Sequence, residues 1–291
     1  MKPQNNGAWL YLVPALAILG FAGVVPLVAV FNYSFFDIFT LDSAFWIGGD
    51  WYREILSSQR FYASLGRSLL FSFIVLAVQM PLGICIALML RRSGRVSVFV
   101  LMLLAIPLVV PWNMIPTMWL SLINTETGLV GMALAKLGIG FDYKFNAVHT
   151  WIVLVVMDTW HWTGLVAVLA YAGLSGIPPA YYRAAAIDGA SRYQVFRYIE
   201  LPKIADVMFM ALLLRFMDSF MIYIEAFRIN AGGPNNATTF LSLDLGEAIN
   251  GFSYGSAAAH SVIYFLMVLT IAWAFRTAMD RRGRASSEAM A

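Results

Sequence analysis

Residues able to do chemistry are few in this chain, and most of them sit where water should be scarce. In the apolar stretch 149–174, Asp158 and His161 are spaced i and i+3, on one face of a helix, with Trp160 and Trp162 beside them. In the stretch 205–226, Arg215 and Asp218 repeat that spacing and are followed by Ser219, Ile222 and Tyr223. Asn113 lies beside Pro111 in a third apolar stretch. Polar groups in such surroundings are costly and turn toward a protein interior or a water-filled cavity. Asn113, Asp158, His161, Trp162, Asp218, Ser219, Ile222 and Tyr223 are therefore candidates to line a solute pathway. Carboxylates accept hydrogen bonds from hydroxyls and aromatic rings cover apolar sugar faces, which suits a small polyhydroxylated solute. Structural roles compete: Arg215 and Asp218 can pair with each other, His161 can be a packing residue, and Gln79 can bond between helices. Asp158 has no basic neighbour on its own helix, so the pathway is the stronger reading for it.

Other chemistries are excluded. No G-x-x-x-x-G-K-[ST] loop occurs, so ATP has no such cradle on this chain and an energy source must come from a partner. The three histidines, His149, His161 and His260, have no H-E-x-x-H or paired-carboxylate spacing, and no metal or enzyme activity is expected. Cys85 is the single cysteine, so there is no disulfide framework.

These residues must be positioned by membrane helices. Of 291 residues, 60% are hydrophobic and 12% charged, with a mean hydropathy of +0.74, well outside the range of soluble domains. Net charge is only +3, and the basic residues sit in loops beside apolar spans, which argues against nucleic acid as a partner and for lipid. Six stretches are long enough to cross a hydrocarbon core, roughly 9–31, 68–90, 97–122, 149–174, 205–226 and 255–277. The first is too long for a cleaved signal peptide and reads as a retained helix. The third holds Pro107, Pro111 and Pro116 and should bend. In the sixth, Gly255, Ala257, Ala258 and Ala259 suit close helix packing. The fold class expected is all-α, a polytopic membrane protein with six transmembrane helices.

With a cytoplasmic amino terminus, the inner segments hold Lys2, Arg91, Arg92, Arg95, Arg183, Arg192, Arg197, Lys203, Arg276, Arg281, Arg282 and Arg284. The outer segments hold half as many, Arg53, Arg60, Arg67, Lys136, Lys144 and Arg228. Both termini are accordingly expected inside. The outer loops include 32–67 with Trp46, Trp51 and Tyr52, and 229–239 with a Gly232-Gly233-Pro234 turn able to meet another protein.

One polar stretch, 177–204, lies between two strongly apolar segments. Pro178 and Pro179 suit a loop or a first helical turn, Ala184, Ala185 and Ala186 favour helix, and Asp188-Gly189 supplies a break. Ser191 can cap a second short helix bearing Val195, Phe196 and Ile199 on one face, which Pro202 should stop. The product is a helix-turn-helix on the cytoplasmic side.

The spacing A-A-x-x-D-G-A, with I-x-L-P ten residues on, resembles the EAA loop of the membrane subunits of bacterial ABC importers. Ala184, Ala185, Asp188, Gly189, Ala190, Phe196, Ile199, Leu201 and Pro202 fall where that pattern puts them. Arg183 departs from it, since the family usually has Glu there. The first span, PWNMIPTMW with TGLVG, the fourth span and AGGPNNATT with YGSAAAHSVIYF resemble the carbohydrate branch of these permeases, of maltose and glycerol-phosphate type. The resemblance implies a single permease domain over 1–291, with its core at roughly 68–277 and a coupling loop at 177–204. It implies a multi-pass protein of the bacterial inner membrane, the first of two non-identical permease subunits. It implies two ATPase subunits, which bind ATP and Mg, and an extracytoplasmic solute-binding protein. Arg183, Ala184, Ala185, Asp188, Gly189, Phe196, Ile199, Leu201 and Pro202 would couple the chain to an ATPase. Alternating access would then carry a sugar or polyol, including glycerol or glycerol phosphate. The alternative is a stand-alone secondary transporter with Asp158 and His161 as a proton relay, against which stands the absence of any sign of inverted repeats.

Overall fold

A backbone in lipid must satisfy its polar groups within its own segment, so long apolar runs become helices. The computed structural model describes residues 10–40, 43–90 and 94–288. In chain order the elements are α1 (Val13–Tyr33), β1 (Phe36–Thr40), β2 (Ser43–Trp46), α2 (Asp50–Ser57), α3 (Gln59–Leu90), α4 (Arg95–Val109), α5 (Met114–Ile123), α6 (Leu129–Lys136), α7 (Ala147–Ser175), α8 (Pro179–Ile187), α9 (Arg192–Val195), α10 (Leu201–Phe220), α11 (Ile224–Asn230), α12 (Leu241–Asn250) and α13 (Tyr254–Glu288). Among the described residues, five stretches are long and apolar enough to cross a membrane, and α4 with α5 forms a sixth if that bent pair is one span. Of the basic residues on which the topology expectation rests, Lys2, Arg91 and Arg92 lie outside the described residues.

The chain divides into two compact units, residues 1–62 with 244–268, and 63–243 with 269–291. The predicted core, 68–277, draws on both.

In the first unit, α1 buries none of its residues, as suits a helix apolar all round that faces lipid. The loop after it contains a hairpin not read from the sequence: β1 pairs antiparallel with β2, Phe36 opposite Trp46. Trp46 stacks on Phe35 at 5.6 Å between centroids, Trp51 Nε1 donates to the Phe36 carbonyl at 3.1 Å, and Tyr52 bonds Ser34 at 2.6 Å. The loop aromatics thus fasten the hairpin. Gly255 allows it to lie close, because a Cβ there would run into the Phe36 carbonyl. Ala257, Ala258 and Ala259 are buried, in keeping with a packing role. Arg60 at the start of α3 bridges Asp244 at 2.7 Å and Glu247 of α12.

In the second unit, α3, α7 and α10 pack through Ala87, Ala170, Leu174, Ile204, Met208 and Ala211. A further cluster joins Phe71 and Val75 of α3 to Ile115 of α5, Leu154 and Met157 of α7, and Phe240. Small residues set the approach distances. A Cβ on Gly83 would come 2.6 Å from Val166 Cγ1, and one on Gly164 would collide with the Leu104 carbonyl of α4.

Two of the predicted spans are not continuous helices. The third, 97–122, turns through 103° between α4 and α5. Val110 precedes a proline and is extended, with ψ 127°, because the ring of Pro111 clashes with a helical residue before it. The fifth, 205–226, breaks after Phe220 and restarts at Ile224. The Ile222 carbonyl freed by that break accepts a hydrogen bond from Ser242 Oγ, which makes non-helical backbone tolerable there.

Candidate functional site

Arg215 is the largest fully buried side chain and the centre of a polar network between three helices. Its Nη2 donates to Asp158 Oδ2 at 2.8 Å, its Nε to Gln79 Oε1 at 3.0 Å, and its Nη1 to Asp218 Oδ2. Gln79 Nε2 closes the ring by donating to Asp158 Oδ2 at 2.6 Å. The guanidinium also lies over the Trp162 ring, 4.5 Å from its centroid. A buried charge is tolerable only when paired and hydrogen-bonded, and here α3, α7 and α10 each supply part of the shell. Asp158 therefore has a basic partner, on α10 and not on its own helix. The Arg215–Asp218 pair expected within α10 also forms, and Gln79 does bond between helices.

A cavity of about 250 Å³ opens beside this network at the α10–α11 break, lined by Trp112, Asp158, Trp162, Asp218, Met221, Ile222, Tyr223, Ile224 and Glu225. Five of the eight proposed pathway residues, Asp158, Trp162, Asp218, Ile222 and Tyr223, meet there. The other three do not line it. Ser219 is buried and bonds the Phe216 carbonyl at 3.1 Å. Asn113 is exposed at the start of α5. His161 is 2% exposed, edge-on to Trp162, and neither ring nitrogen has a hydrogen-bond partner among the described residues. No hydrogen bond links His161 to Asp158, so a relay through the two has no direct path. Trp112, Met221, Ile224 and Glu225 were missed. Glu225 could have been found as a third acid in the stretch 205–226, whereas Met221 and Ile224 reach the cavity only because the helix breaks.

Among the described residues, no group of three or more His, Cys, Asp or Glu could hold a metal ion. The cavity offers acceptors and aromatic side chains for a hydroxylated molecule: the Trp112 and Trp162 ring centroids are 6.1 Å apart with their planes at 68°, and three carboxyl groups share the lining.

The segment 177–204 forms the expected pair of short helices. Gly189, at φ +65°, makes the turn after α8. Ser191 and Gln194 form a capping box, with Ser191 N donating to Gln194 Oε1 at 2.6 Å. The second helix does not stop at Pro202. It passes through one π turn, Phe196–Glu200, into α10, where Pro202 occupies the first turn and its missing N–H breaks no ladder. Glu200, unnoticed in the sequence, is buried and accepts from Arg192 Nη1 at 2.7 Å, which ties α9 to the root of α10. A groove of about 410 Å³ between the short helices is lined by Ala184, Ala185, Asp188, Gly189 and Ile199, together with Tyr181, Ala190, Gln194, Val195 and Tyr198. Arg183, Phe196, Leu201 and Pro202 lie outside it. Ile187, Tyr193 and, in the groove lining itself, Tyr198 are large side chains left 87%, 72% and 73% exposed.

Residues 79–284 match the protein family described as binding-protein-dependent transport system inner membrane component. The chain is 30% identical over 266 residues to the trehalose/maltose transport system permease protein MalF of Thermococcus litoralis, covering 90% of each. It is 30% identical over 282 residues to the sn-glycerol-3-phosphate transport system permease protein UgpA of Yersinia pestis, covering 92% of this chain and 94% of the relative. A solved bacterial ABC transporter involved in the import of the acidic polysaccharide alginate shares the fold, with a TM-score of 0.80 at 21% identity over 94% of this chain and 95% of that one.

Proposed function

Because the chain belongs to the family of binding-protein-dependent transport system inner membrane components, we propose that it is one of two non-identical permease subunits of an ATP-driven importer for a sugar or polyol. The observation that carries this reading is the cavity at the α10–α11 break, lined together by carboxyl groups and by the aromatic side chains Trp112, Trp162 and Tyr223, a mixture that suits a hydroxylated solute. Relatives named for trehalose and maltose and for sn-glycerol-3-phosphate support the solute class, with glycerol and its phosphate included in it.

Both termini are cytoplasmic in this reading, and an extracytoplasmic binding protein delivers solute. Two ATPase subunits bind ATP and Mg, and this chain binds no cofactor. The groove between α8 and α9 receives part of one ATPase, and Arg183, Ala184, Ala185, Asp188, Gly189, Phe196, Ile199, Leu201 and Pro202 form or support that contact. Movement there passes through the π turn into α10, whose far end carries Asp218 and the broken segment of the cavity. Closing the ATPases thus turns the cavity from one side of the membrane to the other.

The test is to purify the tagged chain, identify what accompanies it, and measure ATP hydrolysis of the reconstituted complex with maltose or glycerol. A second permease and an ATPase should copurify, and a carbohydrate should stimulate hydrolysis in the presence of the binding protein. Solute uptake by the chain alone, driven by a proton gradient, would replace this reading with the secondary transporter.

A further inference from the structure

We propose that the cavity at the α10–α11 break admits uncharged hydroxylated solutes and rejects phosphorylated or acidic ones, with Glu225 as the residue that sets this preference. The proposal rests on the carbohydrate reading above and narrows it.

An anionic solute needs donors that are charged and unspent, most often an arginine fork. Three of the five N–H groups of the nearest guanidinium, that of Arg215, are spent on its own network, and the side chain does not line the cavity. Arg215 is 1% exposed, and its Nε, Nη1 and Nη2 are committed to Gln79, Asp218 and Asp158. Among the described residues, no Lys, Arg or His lines the cavity. Its neutral donors, the indole N–H groups and the Tyr223 hydroxyl, can serve a sugar as well as an anion. Its acidic side chains are Asp158, Asp218 and Glu225. The first two share Arg215, while Glu225 forms no ion pair among the described residues. The wall thus carries more carboxyl than guanidinium, and the surplus member faces the space a solute would fill. Hydroxyl groups can donate to that carboxyl group, whereas a phosphate or uronate would meet a wall of acceptors with no lining cation to pair with. This sets the chain apart from two proteins it is similar to, one named for glycerol phosphate and one for an acidic polysaccharide.

The test uses the assembled importer without its binding protein, so that selection by that protein does not intervene. Maltose and glycerol are titrated against glucuronate and glycerol 3-phosphate, with quenching of tryptophan fluorescence as the readout and Trp162→Phe to assign the signal to the cavity. The neutral members should bind at least tenfold more tightly than the acidic ones. Glu225→Gln should narrow that ratio by about tenfold, from weaker neutral binding and stronger acidic binding. An acidic solute that binds as tightly as its neutral counterpart overturns the proposal and leaves the carbohydrate reading standing. No binding by any of the four overturns both. An unchanged ratio in Glu225→Gln removes Glu225 from the role, and if that variant does not assemble, the ratio in the parent decides.

Discussion

Arg215 of α10 and Asp158 of α7 meet at 2.8 Å with both side chains shut away from solvent, and the pair ties the helix that follows segment 177–204 to the helix that walls the cavity. Asp158 consequently has two duties, holding Arg215 and facing the cavity, and a substitution there disturbs the first before the second can be measured.

Removing one side of this pair should be harsher than removing both. Asp158→Asn is expected to cost roughly 3 kcal/mol, toward the low end for a broken buried pair because Asp218 remains on Arg215. Replacing the two together, Asp158→Leu with Arg215→Met, should recover more complex and a higher melting temperature than Asp158→Asn alone. A double variant that fares no better than the single one would show that the network is not held together by charge pairing.

Gly189 has open space where a Cβ would go, so any loss on substitution comes from its backbone angle and not from a collision. Gly189→Val should strain the turn by about 1–2 kcal/mol and reduce copurification of the ATPase, while Gly189→Asn, a residue that visits the left-handed region, should retain most of it. Equal behaviour of the two variants would count against the turn.

Arg183 is exposed and forms no ion pair among the described residues, so its charge is available to a partner. Arg183→Glu should weaken ATPase association several-fold at low salt and much less at high salt, because surface charge is screened. Association that is unchanged at low salt would mean the charge is only solvated.

Ser242 holds the carbonyl freed where α10 breaks. Ser242→Ala should leave Ile222 O unsatisfied, at about 1–3 kcal/mol, and loosen the segment that carries Ile222 and Tyr223. Solute affinity should fall together with the melting temperature. A fall in stability without any change in solute binding would place the cavity elsewhere.

Much of this architecture was legible because it depends on composition over twenty or more residues, or on a single conformational necessity. The apolar runs marked the helices, and Asp188-Gly189 marked the turn that Gly189 makes at φ +65°. Pro111 marked the third span as bent, although not as a turn near a right angle. The break after Phe220 carried no mark at all: 218–224 contains neither Gly nor Pro, and the group that stabilises the break is Ser242, twenty residues away. The partner of Asp158 was equally hidden, since Gln79 and Arg215 are 79 and 57 residues distant and meet it only when the helices pack. The hairpin escaped notice because its two strands are too short for a clear alternation.

The turn at Val110 divides the third span into two lengths, neither of which can cross a bilayer alone. At about 1.5 Å per residue the 15 residues of α4 extend about 22 Å, short of a hydrocarbon core of about 30 Å. The next helix departs at 103° and adds little along the same line. A helix of this length cannot cross such a core by itself, so the third span carries the chain only as far as the turn before Trp112 in one direction and leaves the rest of the depth to other helices.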